Sequence, residues 1–141
     1  MIERGSVATI VLIEDDSVQS ELIQLAAMEA GLRAAMRCVG DGREGLRRLR
    51  QWIDGSELPV PDLVLLDIKL PGMNGIEILQ ALQADGQRVP FPIVMLTSSK
   101  IADDLIDSFS HGAVSYFVKP SGFAELIRLM DTIGRRWLDR A

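Results

Sequence analysis

Pro61-Asp-Leu-Val-Leu-Leu-Asp-Ile-Lys-Leu-Pro-Gly-Met-Asn-Gly75 is the stretch on which the fold turns. Leu63 to Leu66 are four consecutive apolar residues, too few for a helix, and read as a strand covered on both faces. The strand runs straight into Asp67. Pro71 to Gly75 is a turn, and Asn74 or Gly75 opens a helix that carries Ile76, Leu79 and Leu82 inward.

The same alternation extends in both directions. Toward the N-terminus, a polar loop holds Gly55, Pro59 and Pro61, and Gly42 to Ile53 is helical with Leu46, Leu49, Trp52 and Ile53 on one side. Leu32 to Val39 is a weaker strand. Ser17 is placed to cap a helix in which Val18, Leu22, Leu25, Ala26 and Met28 recur as one apolar face, ended by Gly31. Ala8 to Ile13 is a short, partly β-branched run and reads as a buried strand. Toward the C-terminus, Pro90 to Pro92 breaks the chain and Ile93 to Leu96 is a strand ending at Thr97. Ala102 to His111 is a helix carrying Leu105, Ile106 and Phe109, closed by Gly112. Ser115 to Val118 is a strand ending at Lys119-Pro120. The last helix, from about Gly122 to Asp139, carries Phe123, Leu126, Ile127, Met130, Ile133 and Trp137. Five strand–helix units in series predict an α/β fold: a five-stranded parallel sheet, doubly wound, in the order 2-1-3-4-5.

The 141 residues suit one domain of about 150 residues, and we expect residues 1–141 to form it without an output domain. The net charge of −5 argues against a nucleic-acid module, although Arg43, Arg47, Arg48 and Arg50 form a local basic cluster. One cysteine, Cys38, excludes an internal disulfide, suits a reducing cytosol and reads as a small core residue. The N-terminal residues lack the apolar region of a signal peptide, and no apolar run approaches the ~18 residues of a membrane span, so a cytoplasmic location with no membrane contact is expected.

In open α/β sheets, ligands bind beyond the carboxyl ends of the strands. Glu14, Asp15 and Asp16 follow the first strand, Asp67 the third, Thr97 and Ser98 the fourth, and Lys119 the fifth. Several carboxylates in one pocket repel one another unless a cation joins them. A hard dication such as Mg²⁺, held by one or two carboxylates together with phosphate oxygens, relieves that repulsion. A lysine and a hydroxyl beside it suit the remaining phosphate oxygens, and a carboxylate can itself attack phosphorus. Such an arrangement reads as a Mg²⁺-assisted phosphoryl-accepting site. Taken singly, the same residues have blander readings: an acidic triplet caps a helix, Thr97 and Ser98 form a hydroxyl turn, Lys119 is a surface lysine, and Tyr116 is an aromatic at the core edge. His111, the only histidine, sits at a helix end where capping is the simpler role.

Leu12-Ile-Glu-Asp-Asp16, Pro61-Asp-Leu-Val-Leu-Leu-Asp67 with Leu70-Pro-Gly-Met-Asn-Gly75, Pro92-Ile-Val-Met-Leu-Thr-Ser98 and Tyr116-Phe-Val-Lys-Pro120 resemble the receiver domain of two-component response regulators, a CheY-like, flavodoxin-like fold. The resemblance covers about residues 8–138, and four motifs in order make it specific. It implies that Asp67 accepts the phosphoryl group, that Glu14 and Asp15 bind Mg²⁺ with Asp67 and the main-chain carbonyl of Lys69, that Thr97 and Lys119 contact the phosphoryl group, and that Thr97 and Tyr116 form the switch. It also implies a cis Lys119–Pro120 bond. Ala113 to Pro120 and the Trp-bearing last helix resemble the single-domain regulators paired with phytochrome-type histidine kinases. The partners implied are therefore a sensor histidine kinase and a second copy bound through the fourth helix, fifth strand and fifth helix, with no direct nucleic-acid contact. Two residues depart from the common pattern: Glu14 stands where many receivers have Asp, and Ser121 where an aromatic is frequent. Lys69 and Ser99 occupy positions that tune acyl-phosphate lifetime in the family. Two other classes share features of this chain: a receiver-shaped binding module without phosphorylation, and an aspartyl-nucleophile phosphatase of the haloacid-dehalogenase type. The phosphatase would need a second Asp where Lys69 stands. A flavodoxin-like cofactor binder would need a phosphate loop where the acids follow the first strand.

Overall fold

The computed structural model describes residues 7–138. Its elements alternate along the chain: β1 (Ala8–Ile13), α1 (Ser17–Glu29), β2 (Ala34–Val39), α2 (Gly42–Asp54), β3 (Leu63–Leu66), α3 (Gly75–Asp85), β4 (Ile93–Thr97), α4 (Ala102–Ser110), β5 (Ser115–Val118) and α5 (Phe123–Trp137). The five strands form one parallel sheet in the order β2-β1-β3-β4-β5, as the sequence pattern predicts.

Successive side chains of a strand point to opposite faces, so each central strand feeds two cores. Ile10, Leu12, Leu63, Leu65, Val94 and Leu96 pack beneath α1 and α5. Val11, Ile13, Val64, Leu66, Ile93 and Met95 pack beneath α2 and α3. This is why the central strands read as unbroken apolar runs. Short polar side chains cap α1, α2 and α3, whereas α4 and α5 begin at Ile101 and Gly122 without a side-chain cap. Asp41 accepts the N–H of Glu44 at 2.9 Å, and Asn74 and Glu77 form a reciprocal capping box.

Several local readings change. Asp16, not Ser17, caps α1, accepting the N–H groups of Val18 and Gln19; its carboxylate reaches those orphan donors from the non-helical position before the first turn. The buried face of α1 is Ser20, Ile23, Ala26 and Ala27, whereas Val18, Leu22, Leu25 and Met28 are exposed. Small residues let α1 sit close to the sheet and to α5, and the larger ones are turned outward. Helix α4 turns its apolar side outward: Ser108 is its one buried residue, with Ile106 at 59% and Phe109 at 49% exposure. Cys38 is exposed on β2 rather than buried, because an edge strand is covered less completely than a central one. Three of the four clustered arginines are engaged. Arg47 pairs with Glu44, Arg50 makes a bidentate pair with Asp85 that ties α2 to α3, and Arg48 lies over the Trp52 ring. The Lys119–Pro120 bond is not cis; the cis bond among the described residues is Leu58–Pro59. The two isomers of an X-Pro bond differ by only about 0.5–1 kcal/mol, so the dipeptide alone does not select one. The expected end of the last helix at Asp139 lies outside the described residues.

Candidate functional site

Strand register builds the site. Ile13 of β1 lies beside Leu66 of β3, so the next residues, Glu14 and Asp67, stand abreast at the carboxyl edge of the sheet. The Asp67 N–H donates to the Ile13 carbonyl at 3.0 Å and holds that step. On the other side, Thr97 lies beside Val118, and the Lys119 N–H donates to the Thr97 carbonyl at 2.8 Å. The side chain of Lys119 then crosses above β4 to the acids. Its ammonium donates to Asp67 Oδ2 at 3.0 Å and to Glu14 Oε1.

Glu14 and Asp67 are each only 4% exposed, and Asp15 is exposed beside them. One carboxylate oxygen from each of the three lies within 4.8 Å of the others. Three carboxylates thus face one ammonium, and the excess negative charge is what a divalent cation with oxygen preference would neutralise. The donor set therefore fits a hard dication. The cleft around it is about 420 Å³, walled also by Asp16, Gln19, Lys69, Ser98 and Pro120. Gln19 was not legible as a site residue. The signal for it is the Asp16 cap, which fixes the first turn of α1 at the cleft and so places the residue three positions on along its wall.

Burial holds the Glu14 carboxyl above its ordinary range, the hydrogen bond from Lys119 works against this, and the charge of Asp67 adds to the upward push. For Lys119, burial acts downward but is outweighed by the hydrogen bond to Glu14 and the charge of Asp67, so the ammonium is held above its ordinary 10.5. A group bound more tightly to its proton in the folded state contributes stability below its unfolded value and loses it as pH rises through the folded one. In buffer free of divalent metal, the melting temperature should therefore fall as pH climbs above 10.5. Lys119→Met should lack this alkaline limb, and identical alkaline profiles for the two proteins would refute the assignment.

Thr97 is completely buried behind Ser98, and its Oγ1 accepts the N–H of Ser99 at 3.3 Å. Tyr116 is half-buried and donates its hydroxyl to the Ser99 carbonyl at 2.9 Å. The Lys69 N–H donates to Asp67 Oδ1 at 3.4 Å, wrapping the loop after β3 around the acid. Glu14, Asp15, Asp67, Lys69 and Lys119 thus meet in one cleft, whereas Thr97 and Tyr116 do not line it and are joined to each other through Ser99. His111 is the C-cap residue of α4 and stands outside, with its Nδ1 at 2.8 Å from Gln83 Oε1 on α3.

Comparison with known proteins gives this geometry its family. Residues 10–131 match the response regulator receiver domain. The chain is 33% identical over 129 residues to the probable methanogenesis regulatory protein FilR2 of Methanothrix harundinacea, covering 92% of this chain and 83% of that one. It is 36% identical over 118 residues to the DNA-binding response regulator MtrA of Mycolicibacterium paratuberculosis, covering 84% of this chain but only 47% of that one. Among solved structures, it superposes on the phosphorylated cyanobacterial phytochrome response regulator RcpA with a TM-score of 0.83 and 30% identity, covering 96% and 97% of the two chains. The chain belongs to the response regulator receiver family, whose members are phosphoacceptor signalling domains. It closely resembles the stand-alone phytochrome response regulators. No helix among the described residues is long and apolar enough to cross a membrane.

Proposed function

We propose that this chain is a stand-alone response regulator in which Asp67 takes a phosphoryl group from a phosphohistidine of a sensor kinase, in a Mg²⁺-dependent reaction. The observation that carries this reading is the convergence of Glu14, Asp15 and Asp67 within 4.8 Å, with Lys119 bridging two of them. In the transfer, an Asp67 carboxylate oxygen forms a bond to phosphorus as the phosphorus–nitrogen bond of the donor breaks. The imidazole keeps that electron pair and leaves, and Asp67 becomes an acyl phosphate. Glu14, Asp15, Asp67 and the Lys69 carbonyl would hold the Mg²⁺, which when bound neutralises charge on the phosphoryl oxygens. Lys119, freed from Asp67, pairs with the new dianion, and Thr97 donates its hydroxyl to it. Tyr116, tied to the same loop, carries the change to the surface. The chain's chemistry is confined to its own phosphorylation and hydrolysis, so it is not a turnover enzyme for outside substrates. The likeness to RcpA supports a phytochrome-type kinase as the donor.

Two exposed apolar faces serve two kinds of partner in this reading. The exposed row Val18, Leu22, Leu25 and Met28 runs along α1, whose first turn borders the cleft at Gln19, and we assign it to the phosphate donor. The second set is Ile101, Leu105, Ile106 and Phe109 at α4, with Val118 of β5 and Phe123 of α5, all exposed. Large apolar residues left exposed on three elements mark an interaction surface, and a second copy of the chain is the partner assigned to it. Light scattering should show a dimer in the presence of beryllofluoride. Ile106→Glu with Phe109→Glu should give a monomer that still takes phosphate from acetyl phosphate. A wild-type chain that remains monomeric with and without beryllofluoride would exclude this assembly. The reading as a whole is tested by incubation with Mg²⁺ and acetyl phosphate, which should add one phosphoryl group; no addition would overturn it.

A further inference from the structure

Helix α4 buries a single residue, Ser108, whose hydroxyl bond stays within the helix. Its large apolar residues face outward, and Ser108 donates to the main-chain carbonyl of Asp104 at 2.7 Å. Where the helix meets the loop from β4, Ser99 makes four hydrogen bonds. Ser99 is 2% exposed. Its N–H donates to Thr97 Oγ1, its carbonyl accepts the Tyr116 hydroxyl, and its own hydroxyl donates to Asp104 Oδ2 at 2.5 Å while accepting the N–H of Ile101. Asp104 is thus the side chain through which α4 grips the node. It stands in the first turn of α4.

The consequence for Thr97 follows from hydroxyl chemistry. An oxygen that accepts from the loop amide has its own proton free to donate elsewhere. The bond from Ser99 occupies one lone pair of the Thr97 hydroxyl and narrows its rotation, leaving the O–H to donate. We propose that Asp104 is a positioning residue for the phosphoryl site: its carboxylate holds Ser99, and the main chain of Ser99 in turn sets the hydroxyls of Thr97 and Tyr116. This rests on the phosphoacceptor reading of Asp67 for its functional consequence, but not for the hold on Tyr116. It also gives α4 a direct route to the site, because anything that seats on α4 and moves Asp104 moves the hydroxyl that faces the phosphoryl group.

The test uses the full chain with 3-fluorotyrosine. The protein has one tyrosine, so its single fluorine signal reports Tyr116. Asp104→Ala and Ser99→Ala should each displace or split that signal and slow phosphorylation by acetyl phosphate about tenfold, the loss of one hydrogen bond to a charged group. The double variant should be no worse than either single one, because both remove the same bond. Asp104→Asn, whose amide oxygen still accepts from Ser99, should recover most of the rate and the original signal. A fluorine signal and rate unchanged in Asp104→Ala, or losses that add in the double variant, would overturn the proposal. A wild-type chain that takes no phosphoryl group would instead overturn the phosphoacceptor reading, while the fluorine signal would still report on Asp104.

Discussion

Asp67→Asn should take up no phosphoryl group from acetyl phosphate in the presence of Mg²⁺, with incorporation reduced to background. The substitution preserves shape. The amide oxygen can still accept from Lys119, now 3.0 Å from Oδ2, while its NH2 takes the place of Oδ1 and gives up only the long 3.4 Å bond from the Lys69 N–H. What it removes is the anionic oxygen that must bond to phosphorus, for which an amide is no replacement. It also takes one negative charge from a pocket that holds three carboxylates. The folded protein should therefore be as stable as the wild type or slightly more so in metal-free buffer, since like charges crowded at a site oppose folding. Intact mass and thermal unfolding measured on one preparation separate the two effects. Retained incorporation would mean that another residue is the acceptor.

Gly75→Ala should damage both stability and phosphorylation. A Cβ at Gly75 would lie 2.2 Å from the carbonyl oxygen of Asp67 and 3.0 Å from Ile68 Cα. Those are main-chain atoms, so no flexible side chain can move aside. The Gly75 N–H also donates to the Ile68 carbonyl at 2.8 Å, closing the loop that starts with the acceptor. Relief of the clash must displace the peptide that carries Asp67. Overpacking of this kind costs about 1–3 kcal/mol, to be read from urea unfolding, and the displaced carboxylate should slow phosphorylation by acetyl phosphate. A variant as stable and as reactive as the wild type would show that the loop has slack where the geometry gives it none.

Much of this arrangement was legible in the chain because two short-range signals agree. Apolar runs such as Leu63 to Leu66 must be covered on both faces, and strands of that kind linked by helices can pair only in parallel. Once the strands were placed, Glu14, Asp15, Asp67 and Lys119 fell at the same edge of the sheet, so the cluster could be assembled without coordinates. What was not legible depends on which side of a helix is covered. Leu105, Ile106 and Phe109 have the spacing of a buried stripe, and so do Val18, Leu22 and Leu25, yet these stripes face out. Spacing gives an amphipathic face but not its occupant, and a face meant for a partner looks like one meant for the core. The pairings of Lys119 with Glu14, and of Ser99 with Asp104 and Tyr116, are also hidden. They depend on side-chain reach across residues up to 105 apart in sequence, which no local pattern encodes. Cys38 shows the same limit on a strand, where its exposure follows from the edge position of β2 and not from residue type.

The central claim is that phosphorus bonds to one particular carboxylate in the cluster. Reduction of an aspartyl phosphate with borohydride converts that residue to homoserine, so treatment after incubation with Mg²⁺ and acetyl phosphate, followed by peptide mass mapping, locates the bond. The account predicts homoserine at position 67 alone, and none when the metal is chelated. Modification at position 15 or 16 instead, or equal labelling with and without the metal, would contradict it.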